Sequence, residues 1–273
     1  MLYLCATPIG NMEDITLRVL RVLSEVDAIY AEDTRHSAGL LSYYEIKKPL
    51  ISCHEHNEAQ RAAEIVDRLK NGDNIAYISD AGMPCVSDPG ARIISACIDA
   101  SAEFTVVPGA SASVTALALS GLDNERFLFC GFLPRSGKER RERLELVSNS
   151  PVTTIIYESP NRVYSSLCEI MQLTGGDRKA AVVREITKVF EEASRGTLSQ
   201  LCEKYKDNAP KGECVIVLEA KTDNDVNEVD VDSMIDDCLN KGMKAKEAAR
   251  YIADTLKISR NDIYKRILEK NIH

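Results

Sequence analysis

The chain has 273 residues, 44% of them hydrophobic, which is enough for two domains and a sizeable core. Its formal net charge of −8 and its lack of Trp argue against a uniformly basic nucleic-acid-binding surface and against a platform that stacks several bases. The nine cysteines are scattered, without a C-x-x-C pair or a cluster with the four histidines, so we expect a cytoplasmic protein without a disulfide framework or a zinc site.

Short apolar runs alternate with helical stripes through the first half of the chain. Strands are predicted at residues 2–6, 28–31, 75–78 and 104–107, and loops of small or polar residues follow them. Strands and helices that alternate at this spacing predict a mainly parallel sheet covered on both faces. Open sheets of this kind bind ligands at the carboxyl ends of their strands.

The loop over residues 79–90 is the strongest candidate for ligand binding in this half. It precedes a predicted helix, for which Asp88 would be the N-cap and Pro89 the first helical residue. The loop is longer than a connection of a few residues requires, and it holds two carboxylates, Asp80 and Asp88. A βα connection that is simply rich in turn residues is the alternative.

The second half repeats the alternation of strands and helices. Strands are predicted at residues 127–130, 153–157, 180–184 and 213–219. We therefore predict three parts: an N-terminal α/β domain over residues 1–120, a second α/β domain over residues 121–221, and a tail over residues 222–273.

The predicted tail combines an acidic linker with a small basic module. Residues 223–237 hold seven acidic residues and no basic one, whereas residues 241–270 hold nine basic and four acidic residues. A helix is predicted at residues 244–256, and Ser259 with Asp262 matches a capping box before another. The two helices resemble a helix-turn-helix whose charge favours contact with nucleic acid, and a plain helical hairpin is the alternative.

The common nucleotide-binding and hydrolase motifs are missing. There is no G-x-G-x-x-G after the first strand, no G-x-x-x-x-G-K-[ST], no H-E-x-x-H and no G-x-S-x-G. The predicted loops offer carboxylates, small residues and backbone groups instead, which could hold a ligand with an adenosine, an amino-acid end and no phosphates. No apolar run approaches the roughly 18 residues of a membrane span, and the N-terminus lacks the positively charged region of a signal peptide, so we expect no membrane association.

Eight short stretches, in order along the chain, resemble the signatures of one family. They are ATPIGN at 6–11, AEDTR at 31–35, SDAGMP at 79–84 with SDPG at 87–90, PGASA at 108–112, GFLP at 131–134, YESP at 157–160, REITK at 184–188 and KGE at 211–213. The family is ribosomal RNA small subunit methyltransferase I, within the tetrapyrrole methylase superfamily. The resemblance covers residues 2 to about 219, and the tail is similar to the family's helical module.

The resemblance implies an α/β protein with two domains of the tetrapyrrole methylase type and a cofactor cleft between them. It implies S-adenosylmethionine as cofactor and 2′-O-methylation of a cytidine ribose in the decoding centre of small-subunit rRNA. The substrate would be the rRNA or the assembled small ribosomal subunit, and the enzyme a cytosolic homodimer. By the family pattern the cofactor contacts are Pro8, Asp80, Ala81, Gly82, Met83, Ser111, Ala112, Ile156, Tyr157, Lys211 and Gly212.

Two positions depart from the family pattern. Asn161 stands where His is usual after Ser-Pro, so we assign no proton transfer to this position. Met83 stands where Thr is common, which changes a side chain of the cofactor loop but not its backbone.

The catalytic candidates are charged residues at two predicted strand ends. Methyl transfer to a ribose hydroxyl is an in-line displacement that depends on orientation, and a base or a cation beside the hydroxyl helps to remove its proton. The candidates are Glu32, Asp33, Arg35, Glu185 and Lys188. Structural ion pairs within Asp33–Arg35 and Glu185–Lys188 explain these residues equally well.

Two other functions remain open from the sequence. One is a methyltransferase that acts on a small tetrapyrrole-like substrate, which would not need the basic tail. The other is a non-catalytic ribosome-assembly factor, which would not bind the cofactor.

Overall fold

The computed structural model of the protein describes residues 1–221, 234–239, 242–256 and 259–270. Residues 1–220 form one unit, and residues 221–273 form a second. Two five-stranded sheets organise the first unit.

The first sheet is entirely parallel, as the alternation of strands and helices predicts. Its strands are β1 (Leu2–Cys5), β2 (Ala28–Ala31), β3 (Leu50–Ser52), β4 (Ile75–Ile78) and β5 (Phe104–Val107). Their order is β3-β2-β4-β1-β5. The short β3 was not predicted, because three half-buried residues carry too little apolar pattern.

Helices cover both faces of this sheet. They are α1 (Leu17–Glu25), α2 (Thr34–Tyr43), α3 (Glu58–Lys70) and α4 (Ala91–Asp99). Helices α1 and α2 pack on one face and α3 and α4 on the other, so each face has its own apolar core. Strands β2 and β4 are buried along their whole length, which explains their unbroken apolar sequences.

Helix α4 begins two residues later than the sequence predicts. Its N-cap is Gly90, with φ of +129°, and not Asp88. The buried Glu58 carboxylate performs the capping, because its Oε1 accepts hydrogen bonds from Gly90 N at 2.8 Å and Arg92 N at 2.9 Å. Asp88 therefore stays in the loop.

The second sheet is mixed, which corrects the expectation that the second half repeats the parallel pattern. Its strands are β6 (Phe127–Phe132), β7 (Thr153–Glu158), β8 (Lys179–Arg184), β9 (Glu192–Thr197) and β10 (Cys214–Leu218), in the order β6-β7-β10-β8-β9. Only β6 and β7 pair in parallel. The chain between β8 and β9 is too short for a crossover helix, so these two strands form an antiparallel pair.

Helices also cover both faces of the second sheet. Helices α6 (Gly137–Ser148), α7 (Val163–Thr174) and α8 (Leu198–Tyr205) enclose one core. Helix α5 (Ala112–Ser120) covers the other face, where Ala116 and Leu117 pack against the strands. Helix α5 thus packs on the second sheet, although its sequence lies within residues 1–120.

The second unit contains three helices in its described residues: α9 (residues 234–239), α10 (Ala245–Leu256) and α11 (Arg260–Lys270). Ile235, Ala249, Ile252 and Ile267 belong to their shared apolar core. Most of the predicted acidic linker and the connection at 257–258 lie outside the described residues. Among the helices of the described residues, none is long and apolar enough to cross a membrane.

Candidate functional site

A cavity of about 410 Å³ lies where the strand-end loops of the first sheet meet loops of the second. This volume is within the range of small-molecule binding sites. From the first half, the cavity is lined by Ile9, Glu32, Asp80, Ala81, Gly82, Met83, Val86, Ser87, Asp88, Ser111 and Ala112. From the second half, it is lined by Phe132, Tyr157, Glu158, Ser159, Pro160, Ile186, Gly212, Glu213, Cys214 and Val215.

Backbone contacts hold the loops of the first half together. Thr7 N donates to Gly82 O at 2.9 Å, and Gly82 N donates to Thr7 O at 3.0 Å, so the loops after β1 and β4 form a two-sided bridge. The loop after β5 also approaches β1 closely, since a Cβ at Gly109 would lie 2.8 Å from Cβ of Ala6. Three strand ends therefore supply one continuous wall.

Carboxylates of the first half face the cavity. The pKa of Asp88 is raised from 3.8 to about 6, mainly by burial and to a smaller extent by the negative charge of Glu32. The pKa of Glu32 is also raised, mainly by burial and to a smaller extent by the negative charge of Asp80. Asp80 Oδ1 accepts a hydrogen bond from Asp33 N at 3.1 Å. Throughout the part of the chain that is described, no basic side chain lines the cavity.

An aromatic pair forms part of the opposite wall. The rings of Phe132 and Tyr157 lie 5.4 Å apart with an interplanar angle of 64°, which is a favourable edge-to-face geometry. The two halves come close together here, because a Cβ at Gly131 would lie 3.0 Å from Oγ of Ser87. The second half thus contributes an apolar surface opposite the carboxylates.

A buried network fixes this wall through Glu158, which is only 2% exposed. Its Oε1 accepts hydrogen bonds from Ser159 N at 2.8 Å and Arg162 Nε at 2.7 Å. Its Oε2 accepts one from the Ser166 hydroxyl at 2.6 Å. Arg162 also donates to Leu133 O at 2.7 Å, which ties the loop after β6 to the loop after β7.

Arg140 extends the same network and is buried. It donates to Pro134 O at 2.9 Å and to Ser166 Oγ at 3.0 Å, and it pairs with the Glu169 carboxylate at 2.9 Å. The sequence around the start of α6, residues 135–143, holds five basic residues and is typical of a solvated or phosphate-binding surface, but Arg140 faces the interior. Arg140 therefore holds the loop that follows β6, directly after Phe132.

A second network lies beside the start of β10. Lys188 Nζ donates to Glu185 Oε1 and to Glu213 Oε2, both at 3.0 Å. Gly212 has φ of +81°, and a Cβ there would overlap the Glu185 carboxylate, so glycine alone suits this position. Glu185 and Lys188 lie outside the cavity lining, although their neighbours Ile186 and Glu213 belong to it.

Of the three charged candidates after β2, one lines the cavity and two do not. Glu32 lines the cavity. Asp33 and Arg35 do not, and they form an ion pair at 2.9 Å in which the Arg35 side chain is 91% exposed. Hydrogen bonds from Arg35 lower the pKa of Asp33 to about 2, and Asp33 caps α2 through the Arg35 N–H.

Eight of the eleven residues expected at the cofactor line the cavity: Asp80, Ala81, Gly82, Met83, Ser111, Ala112, Tyr157 and Gly212. Pro8 does not, but its neighbour Ile9 does. Ile156 is fully buried in the core on the other face of β7, because successive side chains of a strand alternate between faces. Lys211 is exposed to solvent outside the cavity lining.

Four residues line the cavity without having been predicted as site residues: Asp88, Phe132, Glu158 and Glu213. The position of Asp88 in the long loop after β4 indicated a site residue, but the sequence also predicted it to be the N-cap of α4. A capping side chain would not face the cavity. Glu158 and Phe132 belong to short motifs next to predicted strand ends. Their burial and contacts arise from long-range packing.

The residues present suit S-adenosylmethionine on chemical grounds. This ligand carries a sulfonium, an ammonium group, a carboxylate and an adenine ring. The cavity offers carboxylates for the cations, the N-terminus of α5 at Ser111 and Ala112 for an anion, and the Phe132–Tyr157 surface for the ring.

The comparisons with known proteins agree with this arrangement. Residues 1–202 match the family model described as Tetrapyrrole (Corrin/Porphyrin) Methylases. Proteins named Ribosomal RNA small subunit methyltransferase I are similar over nearly the whole chain. The Synechocystis sp. protein is 39% identical over 98% of this chain and 98% of its own length, and the Haemophilus influenzae protein is 40% identical over 97% and 95%.

A solved structure shows the same fold at lower identity. The uroporphyrin-III-C-methyltransferase from Thermus thermophilus superposes with a TM-score of 0.58 and 20% identity, covering 79% of this chain and 93% of its own. The chain therefore belongs to the tetrapyrrole methylase family and, within it, to the methyltransferase family of ribosomal RNA small subunit methyltransferase I.

Proposed function

We propose that the protein transfers a methyl group from S-adenosylmethionine to the 2′-hydroxyl of a cytidine ribose in the decoding centre of small-subunit rRNA. The observation that carries the proposal is the cavity, which combines carboxylates, an apolar wall and a helix N-terminus in a member of this family. S-adenosylmethionine supplies an activated methyl group on a sulfonium.

The wall residues bind and orient the cofactor in this proposal. Ser111 and Ala112 receive its carboxylate at the start of α5, where the N–H groups and the helix dipole favour an anion. Phe132 and Tyr157 contact the adenine. Met83 and Gly82 close the cavity from the first half, and the Glu158 network keeps the second wall rigid, which preserves the alignment that methyl transfer requires.

Glu32 is the base in this proposal, because among the five charged candidates it alone lines the cavity. Burial raises its pKa, which makes it a stronger proton acceptor than an ordinary carboxylate. Glu32 takes the proton of the ribose hydroxyl as the hydroxyl oxygen attacks the methyl group. Lys188 and Glu185 stabilise the adjacent loop, and Asp33 with Arg35 stabilises the start of α2.

The substrate assignment follows the names of the relatives and the charge of the tail. Lys246 in α10, Lys265 in α11 and Lys244 just before α10 are exposed, which suits an RNA partner. We propose that the partner is small-subunit rRNA or the assembled small ribosomal subunit, and that the enzyme works as a cytoplasmic homodimer in ribosome biogenesis.

A labelled-methyl assay tests this function against its rivals. Undermethylated small subunits, protein-free rRNA and a small tetrapyrrole are each incubated with the protein and S-adenosylmethionine labelled in its methyl group. We expect label in the small subunits, recovered as 2′-O-methylcytidine after digestion to nucleosides. Label in the tetrapyrrole alone would favour the small-molecule enzyme, and no cofactor binding by calorimetry would favour the assembly factor.

A further inference from the structure

In the described part of the chain, three of the five carboxylates that line the cavity lack a charged partner: Glu32, Asp80 and Asp88. Glu158 pairs with Arg162 and Glu213 with Lys188, and Asp80 accepts a hydrogen bond from Asp33 N. The remaining two are Glu32 and Asp88. Within residues 1–221 and the described parts of the tail, no ion pair includes either of them.

Among the described residues, the fold gives neither carboxylate a charged partner. An Asp just before a helix commonly caps it, but Glu58 caps α4 here and leaves Asp88 in the cavity wall. Both carboxylates are partly buried, where an unpaired negative charge is costly. The raised pKa values of Asp88 and Glu32 reflect this cost. A bound cation would remove it.

We propose that Glu32 and Asp88 are specificity-determining residues that make the cavity prefer the cationic methyl donor to the neutral thioether left after methyl transfer. This inference rests on the proposed function, because it takes S-adenosylmethionine as the ligand. When the methyl group leaves, the electron pair of the broken C–S bond stays on sulfur, and the sulfonium becomes an uncharged sulfide. The donor and S-adenosylhomocysteine otherwise share every group except the methyl.

The difference in charge between donor and product therefore favours the replacement of bound product by fresh donor. The attraction between unit charges grows as they leave bulk water, so an uncompensated pair in a half-buried cavity favours the donor. Once transfer removes the ligand's charge, the attraction ends, and the product is held less tightly than fresh donor. In this way the cavity wall contributes to turnover as well as to binding.

Calorimetry on the full-length protein tests this role without an activity measurement. Dissociation constants for S-adenosylmethionine and S-adenosylhomocysteine are measured at pH 8 for the wild type, Asp88→Asn and Glu32→Gln. We expect the preference for the donor to fall about tenfold in each variant, equivalent to about 1.4 kcal/mol. Asp99→Asn is the matched control, because it removes one exposed charge from α4, and its preference should equal that of the wild type.

The pH dependence supplies a second readout. The preference of the wild type for the donor should weaken as the pH falls through about 6, where Asp88 gains a proton. Asp88→Asn should show a weaker dependence. The other titratable groups around the pair are Asp33, His54, Tyr77, Asp80, Cys85 and Tyr157.

The outcomes separate this inference from the proposed function. If the wild type binds neither ligand, the cofactor assignment itself is wrong. If both ligands bind and the preference is the same in the wild type, Asp88→Asn and Glu32→Gln, the cofactor assignment stands and the specificity role is refuted. Thermal melting verifies that each variant is folded, and the two substitutions lie in different loops, so loss of fold in one leaves the other to decide.

Discussion

Replacing Asp88 by Asn should stabilise the ligand-free protein at neutral pH. The fold raises the pKa of Asp88 from 3.8 to about 6, which means that it disfavours the ionised carboxylate. At about 1.4 kcal/mol per pKa unit, the ionised group would cost about 3 kcal/mol if it were fully buried. Asp88 is only half-buried, so solvent screening lowers this cost to about 1–2 kcal/mol.

The sign of the effect follows from proton linkage. Because the folded-state pKa is raised, the favourable contribution of protonated Asp88 is complete below about pH 4 and is lost as the pH rises through about 6. Asn resembles the protonated carboxyl at every pH. The gain from Asp88→Asn should therefore be present at pH 7.5 and should disappear near pH 4.

Thermal unfolding without ligand measures this gain. For a protein of this size, about 1–2 kcal/mol corresponds to a rise in Tm of about 2–8 °C. Asp99→Asn, which removes an exposed charge, should leave Tm unchanged at both pH values. An unchanged or lower Tm for Asp88→Asn at pH 7.5, or an equal gain at pH 4, would refute the reasoning.

Four further substitutions or deletions test other parts of the structure. Glu32→Gln should lower single-turnover methyl transfer by about 100-fold or more, and near-wild-type turnover would exclude Glu32 as the base. Gly212→Ala should cost about 2–4 kcal/mol in urea unfolding, because it adds a clash to a strained backbone; Gly72→Ala, at φ of +95° in open space, should cost about 1 kcal/mol, and equal costs would contradict the clash. Arg162→Met should destabilise the fold by about 3–5 kcal/mol, because it leaves a buried carboxylate unpaired, and Arg162→Lys should recover part of the loss in the same assay. Deletion of residues 223–273 should leave cofactor affinity unchanged in calorimetry but lower methyl transfer to small subunits, whereas full transfer would argue against a role for the tail in RNA binding.

The strands that the sequence predicts well are those that are buried on both faces. The sequences of β2 and β4 are apolar throughout because both strands are buried on both faces. Strand β9 has the sequence EASRGT and lies at the edge of the second sheet, where polar residues are tolerated, so its apolar pattern is too weak to predict. The chain direction reverses in the second sheet because the connection between β8 and β9 is short. Since β9 was not predicted, this short connection was not predicted either.

The site was predictable where it lies on short motifs at strand ends. Asp80, Ser111 and Tyr157 follow this rule, and all three line the cavity. What escaped prediction depends on contacts between residues far apart in the chain. Glu58 accepts a hydrogen bond from Gly90 N, 32 positions away in the sequence. Because Glu58 caps α4 in this way, the Asp88 side chain is free to line the cavity. Arg140, which the local sequence places on a charged helix surface, is buried by its contacts with α7.

A crystal structure of the protein with S-adenosylhomocysteine or an uncleavable cationic analogue of the donor tests the central claim most directly. We expect ligand density in the cavity between the two sheets, with the amino-acid carboxylate at Ser111 and Ala112 and the sulfur position facing Glu32 and Asp88. Density at another site, or a cavity that stays empty at saturating ligand, would contradict the claim that the strand-end loops of the two halves form the methyl-donor site.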